Sequence, residues 1–157
     1  MPTNLLRPST KKAVATVRIG HAPDRLVEIR AGRATIRAQL LETPTADRIW
    51  RALPLFSTVE IWGQEVHFAT AVASGRERGA RVLAALGDIA WIPERDWVSI
   101  LYGPTPTSKA GELRLWSPAN IWARAIDDVR CLTAARPGEA ASIRAVAAMA
   151  SPAGASG

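Results

Sequence analysis

The sequence predicts a mostly-β domain, a small closed or nearly closed β-barrel with one main helix at about residues 43–53. Three observations predict it. Short stretches alternate apolar and polar residues with period two, turn signals recur between them at close intervals, and one segment alone carries both the spacing and the caps of a helix. A sandwich of the same strands is the alternative. The chain has 157 residues, 48% hydrophobic and 22% charged. That is one domain's worth of ordinary globular composition.

Residues 1–25 read as an extension punctuated by Pro2, Pro8 and Pro23, with Ala13 to Ile19 as a short edge strand. The body, residues 26–132, opens with a hairpin. Leu26 to Arg30 and Arg33 to Arg37 alternate around a two-residue turn at Ala31-Gly32. Val27, Ile29, Ala34 and Ile36 then share one face, with the charged residues on the other. The helix follows. Thr43 is a good N-cap, Pro44 suits the first helical position, Asp47 favours the first turn, and Pro54 ends the run. Phe56 to Ile61 and Val66 to Ala69 form a second hairpin. A four-residue loop, Trp62 to Glu65, sets Glu60 across from His67 and Ile61 across from Val66; a shorter loop would oppose Glu60 to Glu65.

Residues 74–86 are Gly- and Arg-rich, then Ala-rich, and read as a long loop with one helical turn at most. Strands are expected at Asp88 to Ile92, Trp97 to Tyr102, Glu112 to Trp116 and Asn120 to Ile126, the last two divided at Ser117-Pro118. The prolines of Gly103 to Ser108 exclude regular structure there. Residues 133–157 are dominated by Ala, Gly, Ser and Pro. They are expected to be a largely disordered tail with a weak helix near Ile143 and Val146, so that deleting 136–157 would leave the melting temperature nearly unchanged.

The net charge is +6. Arginines scattered among acidic residues do not make a phosphate-tracking stripe, so nucleic acid is not the expected partner. Cys131 stands alone, which excludes an intrachain disulfide and reads as a small buried hydrophobe. His21 and His67 have no metal-ligand spacing, and no phosphate-binding glycine loop or nicotinamide fingerprint is present. No metal and no cofactor are therefore expected. Nothing approaches the roughly 18 apolar residues of a membrane span, and no apolar core follows Lys11 and Lys12 as a signal peptide requires. The expected address is the cytoplasm. Oligomeric state is not legible.

Four stretches, in this order and spacing, resemble the small prokaryotic cyclophilin-like family across roughly residues 26–132. They are Leu41 to Ala46 (LETPTA), Ile61 to Phe68 (IWGQEVHF), Gly87 to Pro93 (GDIAWIP) and Tyr102 to Ser108 (YGPTPTS). The resemblance implies a reduced cyclophilin β-barrel and no settled activity. True cyclophilins carry Phe-His-Arg, Gln-Phe-Phe and Met-Ala-Asn segments, none of which is present here. Shared fold is an analogy for function, and efficient prolyl isomerase activity is not expected.

The expected function is binding of a small carboxylic or amide ligand, or of a proline-containing peptide. The alternative is an enzyme, isomerase-like or acting on a small amide or carboxylate, in the same cleft. Trp62, Glu65, Tyr102, Thr105, Thr107 and Ser108 are the expected ligand-binding residues, because two glycine-containing turns would present an aromatic wall, a carboxylate and hydroxyls on a stiff loop. Glu65 would be the base, and Arg114 or Arg124 the guanidinium that an isomerase aims at the twisted amide.

Overall fold

The computed structural model describes residues 25–146. The expected edge strand at 13–19 and the end of the tail lie outside the described residues. In chain order the elements are β1 (Leu26–Ala31), β2 (Ala34–Leu40), α1 (Pro44–Ala52), β3 (Leu55–Thr58), β4 (Glu60–Ile61), β5 (Glu65–Ala69), β6 (Arg81–Leu83), β7 (Asp88–Ile92), β8 (Trp97–Leu101) and β9 (Arg114–Ala125). A 3-10 helix (Val129–Ala134) and β10 (Ala140–Val146) complete it.

Among the described residues the fold is mostly β with one α-helix, but the expected β-barrel closure is wrong. Ten strands form one antiparallel sheet in the order β3-β10-β1-β2-β9-β7-β8-β5-β4, with β6 added to β9. That order has two ends, and no ladder joins them. The end strands β3 and β4 are separated only by Val59, and one residue is too few for the turn that antiparallel pairing requires.

The first hairpin keeps its expected faces but turns one residue later, pairing Ala31 with Ala34. A turn at Ala31-Gly32 would have set Arg30 against Arg33. The observed register gives Arg30 the neutral Thr35 and sets Glu28 across from Arg37. The second hairpin pairs as expected, Glu60 with His67 and Ile61 with Val66. β9 runs unbroken through Ser117-Pro118, where two strands were expected, and the change of register against β6 absorbs the proline.

The clearest departure is β10. Residues 140–146, expected in the tail, pair with β1 on one side and β3 on the other, and Ala141 and Ile143 are buried. Small residues suit a strand enclosed between two others, but they carry little signal of their own.

Alternation divides the apolar residues between the two faces. On β5, β7 and β8, Val66, Phe68, Ile89, Trp91, Val98 and Ile100 join the main core with Ala46 and Ile49 of α1. Ala90, Ile92 and Leu101 point the other way and form a smaller cluster with Leu115 and Ala119. Trp91 and Trp122 are fully buried, whereas Trp116 is exposed. Cys131 corrects its expectation: it sits exposed on the 3-10 helix. No helix among the described residues is long and apolar enough to cross a membrane.

Candidate functional site

The two glycine turns do meet. The Gln64 N–H donates to the Pro104 carbonyl at 3.0 Å, and the Tyr102 N–H to the Gln64 carbonyl at 2.9 Å. Gly63 has φ +62, and a Cβ there would lie 2.7 Å from Pro106 Cδ and 3.0 Å from Thr105 Cα. Only glycine permits that approach.

The side chains expected to share a cleft there divide between two faces. Glu65 stands across from Leu101 in the ladder and so belongs with the smaller cluster. Tyr102, one residue on, packs against the main core. Burial, with Glu65 as a nearby negative charge, raises the Tyr102 phenol above its ordinary value, while Arg136 opposes the shift. Trp62 is half-buried on its turn. The hydroxyls of the second loop are engaged within it. Thr105 Oγ1 donates to the Arg114 carbonyl at 2.5 Å and lies 3.1 Å from Ser108 Oγ and 3.4 Å from Thr107 Oγ1. Ser108 Oγ also accepts from the Thr105 and Arg114 N–H groups. These bonds hold a proline-stiffened loop against β9.

Glu65 is buried and accepts from Ser99 Oγ, and its other oxygen lies 2.8 Å from His67 Nδ1. His67 stacks on Trp97 at 4.1 Å, and its Nε2 is 3.6 Å from Glu60. Serine, carboxylate and imidazole are thus neighbours, but the carboxylate sits between the other two. A serine nucleophile activated by histidine needs the imidazole in the middle, and Ser99 has no exposed surface. The two candidate arginines are committed elsewhere. Arg114 makes two bonds to Glu112, and Arg124 lies 3.5 Å from the buried Asp88.

On the main-core side, at the N-terminus of α1, lies a cavity of about 500 Å³ lined by Pro44, Arg48 and residues 74–79. Its lining residues Arg48, Ser74, Gly75 and Glu77 are tied to the buried Thr45 and Asn120 beneath them by a polar network. Asn120, buried in β9, accepts from the Glu77 N–H at 2.9 Å, which fixes the orientation of its amide. Its Nδ2 donates to Thr45 Oγ1 and to the Gly75 carbonyl, both at 2.9 Å. Glu77 Oε2 accepts from the Thr45 N–H at 2.9 Å and from the Thr45 hydroxyl at 2.6 Å. Ser74 Oγ lies 3.1 Å from Thr45 Oγ1 and accepts from Arg48 Nη1 at 2.9 Å. Thr43 caps the helix by accepting from the Ala46 N–H. Around the rim stand Arg48, Arg76 and Arg78, all exposed, with Arg76 paired to Glu94.

Sequence reasoning missed this cavity. Thr45 lies in one of the four matched stretches but is masked there by the capping Thr43. Asn120 in an apolar strand was its best available signal, because a buried amide demands partners. Among the described residues no group of three His, Cys, Asp or Glu side chains could hold a metal ion.

Residues 25–144 match the family described as Cyclophilin-like. The solution structure of the hypothetical protein AF2241 from Archaeoglobus fulgidus is similar at a TM-score of 0.70 and 28% identity, over 80% of this chain and 98% of that one. McbB, solved in complex with tryptophan, has a TM-score of 0.56 at 17% identity, over 75% of this chain and 44% of that one, a likeness of fold alone. No curated protein matches.

Proposed function

This chain belongs to the cyclophilin-like family, and from that premise we propose that it binds a small carboxylic or amide ligand in the cavity at the N-terminus of α1. The observation that carries the reading is the combination of a preformed cavity of about 500 Å³ with a rim of three guanidiniums. That volume suits a small molecule. The floor bonds are already made, so a ligand meets fixed groups and little ordering cost arises on binding. Arg48 and Arg78 offer planar donor pairs to a carboxylate. The tryptophan bound by McbB, a small carboxylic acid, supports this class of ligand.

Prolyl isomerase activity on a standard peptide is expected to be weak, since Arg114 and Arg124 both face carboxylates. An efficient rate abolished by Arg114→Ala or Arg124→Ala would contradict that expectation.

Calorimetric titration tests the binding reading, with tryptophan, small aliphatic carboxylates, their amides and a proline-containing peptide as probes. Carboxylates should bind, Arg78→Ala and Arg48→Ala should each weaken them about tenfold or more, equivalent to about 1.4 kcal/mol, and Glu65→Gln should leave binding intact. Binding that ignores both arginines but disappears with Glu65→Gln would move the site to the other face and defeat the reading.

A further inference from the structure

The bonds on the cavity floor have a direction that their donors and acceptors impose. Glu77 as a carboxylate only accepts, so the single proton of the Thr45 hydroxyl points to it across 2.6 Å. Thr45 Oγ1 must then accept in its contact with Ser74, and the Ser74 hydroxyl is the donor across 3.1 Å. Arg48 donates to Ser74 Oγ from the far side at 2.9 Å. The order is guanidinium, serine, threonine, carboxylate, with every proton aimed at Glu77. Asn120 fixes Thr45 and the Glu77 backbone in this arrangement. Of the two hydroxyls, Thr45 is fully buried while Ser74 keeps 9% of its surface and lines the cavity.

We propose that Ser74 is a nucleophile for acyl transfer, acting on small esters of carboxylic acids bound in this cavity. The inference rests on the binding reading above, because the acyl group must first occupy that space. In the step, Ser74 Oγ forms a bond to the acyl carbon as its proton passes to Thr45 and the Thr45 proton passes to Glu77. The ester carbon–oxygen bond breaks, and the departing alkoxide recovers a proton from the now neutral Glu77, which itself lines the cavity. Water attacks the acyl-serine next and gives a proton to Glu77; as the acyl–Oγ bond breaks and the acid leaves, that proton returns through Thr45 to Ser74 Oγ and restores its hydroxyl. Arg48, in contact with Ser74 Oγ, opposes the negative charge that builds at the reacting centre. Thr45 and Glu77 act through Ser74 and are positioning residues. The Glu65–Ser99 pair cannot compete, since Ser99 is sealed.

The test is acylation of the full chain by p-nitrophenyl acetate and by a fluorophosphonate, with the modified peptide located by mass spectrometry. Label should fall on Ser74, and Ser74→Ala should abolish it. Glu77→Gln can still accept the Thr45 bonds through its amide oxygen but takes up no proton, so it should slow labelling about 100-fold or more, the scale of losing a positioned base, with its melting curve retained. Thr45→Val, which interrupts the proton path at the middle, should slow labelling equally. A structural role for these residues would change melting and leave the labelling rate alone. No adduct on Ser74, or labelling at an unchanged rate in Glu77→Gln, overturns the proposal. Calorimetry of tryptophan on the same preparation separates the two failures: binding without labelling defeats the acyl-transfer step alone, and the absence of both defeats the binding reading as well.

Discussion

A buried side-chain amide has two protons and two lone pairs to satisfy, and Asn120 uses three of these four positions to tie α1 and the 74–79 loop to β9. Asn120→Ala leaves a donor and two acceptors without that partner in a place water reaches poorly. It should cost about 1–3 kcal/mol, read as a lower urea midpoint at unchanged slope, and it should weaken carboxylate binding through the loosened floor. That residue also shows why the site was less legible than the fold. Two glycine turns promised a cleft because turn chemistry is local, and the turns do touch. Which way each side chain points depends on ladder register, and register placed Glu65 and Tyr102 on opposite faces. Thr45, the Ser74–Glu77 segment and Asn120 are far apart in sequence, and nothing local joins the three. Two further outcomes belong at this scale. Arg37, through its hydrogen bonds to Asp127, holds that carboxyl below its ordinary value. A depressed carboxyl stabilises the folded state above its unfolded pKa, and the contribution is lost as pH falls through the folded one. Asp127→Asn should therefore flatten the acid limb of a stability–pH curve, less so at high salt because the pair is exposed. Burial, reinforced by the charges of Asp128 and Asp127, raises the Cys131 thiol. Although exposed, it should react with iodoacetamide at neutral pH more slowly than free cysteine does.

Among the elements, β10 carries the largest consequence. It lies opposite β1 over six residue pairs and opposite β3 over four, so its removal opens two ladders at once. Deleting 136–157 is therefore expected to abolish cooperative thermal unfolding, the reverse of what its composition suggests, and a circular dichroism melt decides it. A variant that kept its melting temperature would show the remaining strands to be self-sufficient. Strands with clear alternation of apolar and polar residues were legible, as at β1, β2 and β5. β10, whose pattern is hidden by small residues, was not, and β9 read as two strands because Pro118 interrupts it; the stability of both comes from neighbours distant in sequence.

At the scale of the molecule, the class was readable and the closure was not. Mostly β with one helix follows from local periodicity, whereas an open or closed sheet depends on which strands end the order, a long-range property. Binding should be visible at this scale too. A carboxylate at 100 times its dissociation constant stabilises the folded state by about 2.7 kcal/mol, so the melting temperature should rise by several degrees with tryptophan or another accepted acid. Ser74→Ala keeps the arginine rim and should retain most of that rise. The placement of β3 and β4 has one more effect. Exposed strand edges are templates on which other chains can add and fibres can grow. Here the edge strands β3, β4 and β6 have four, two and three residues, and the joint between β3 and β4 is occupied, since Val59 gives its N–H to the Glu139 carbonyl and accepts that of Gly138. A partly crowded solution of this protein thus presents few long, straight templates, and self-association through its sheet is starved of the length that a growing fibril needs.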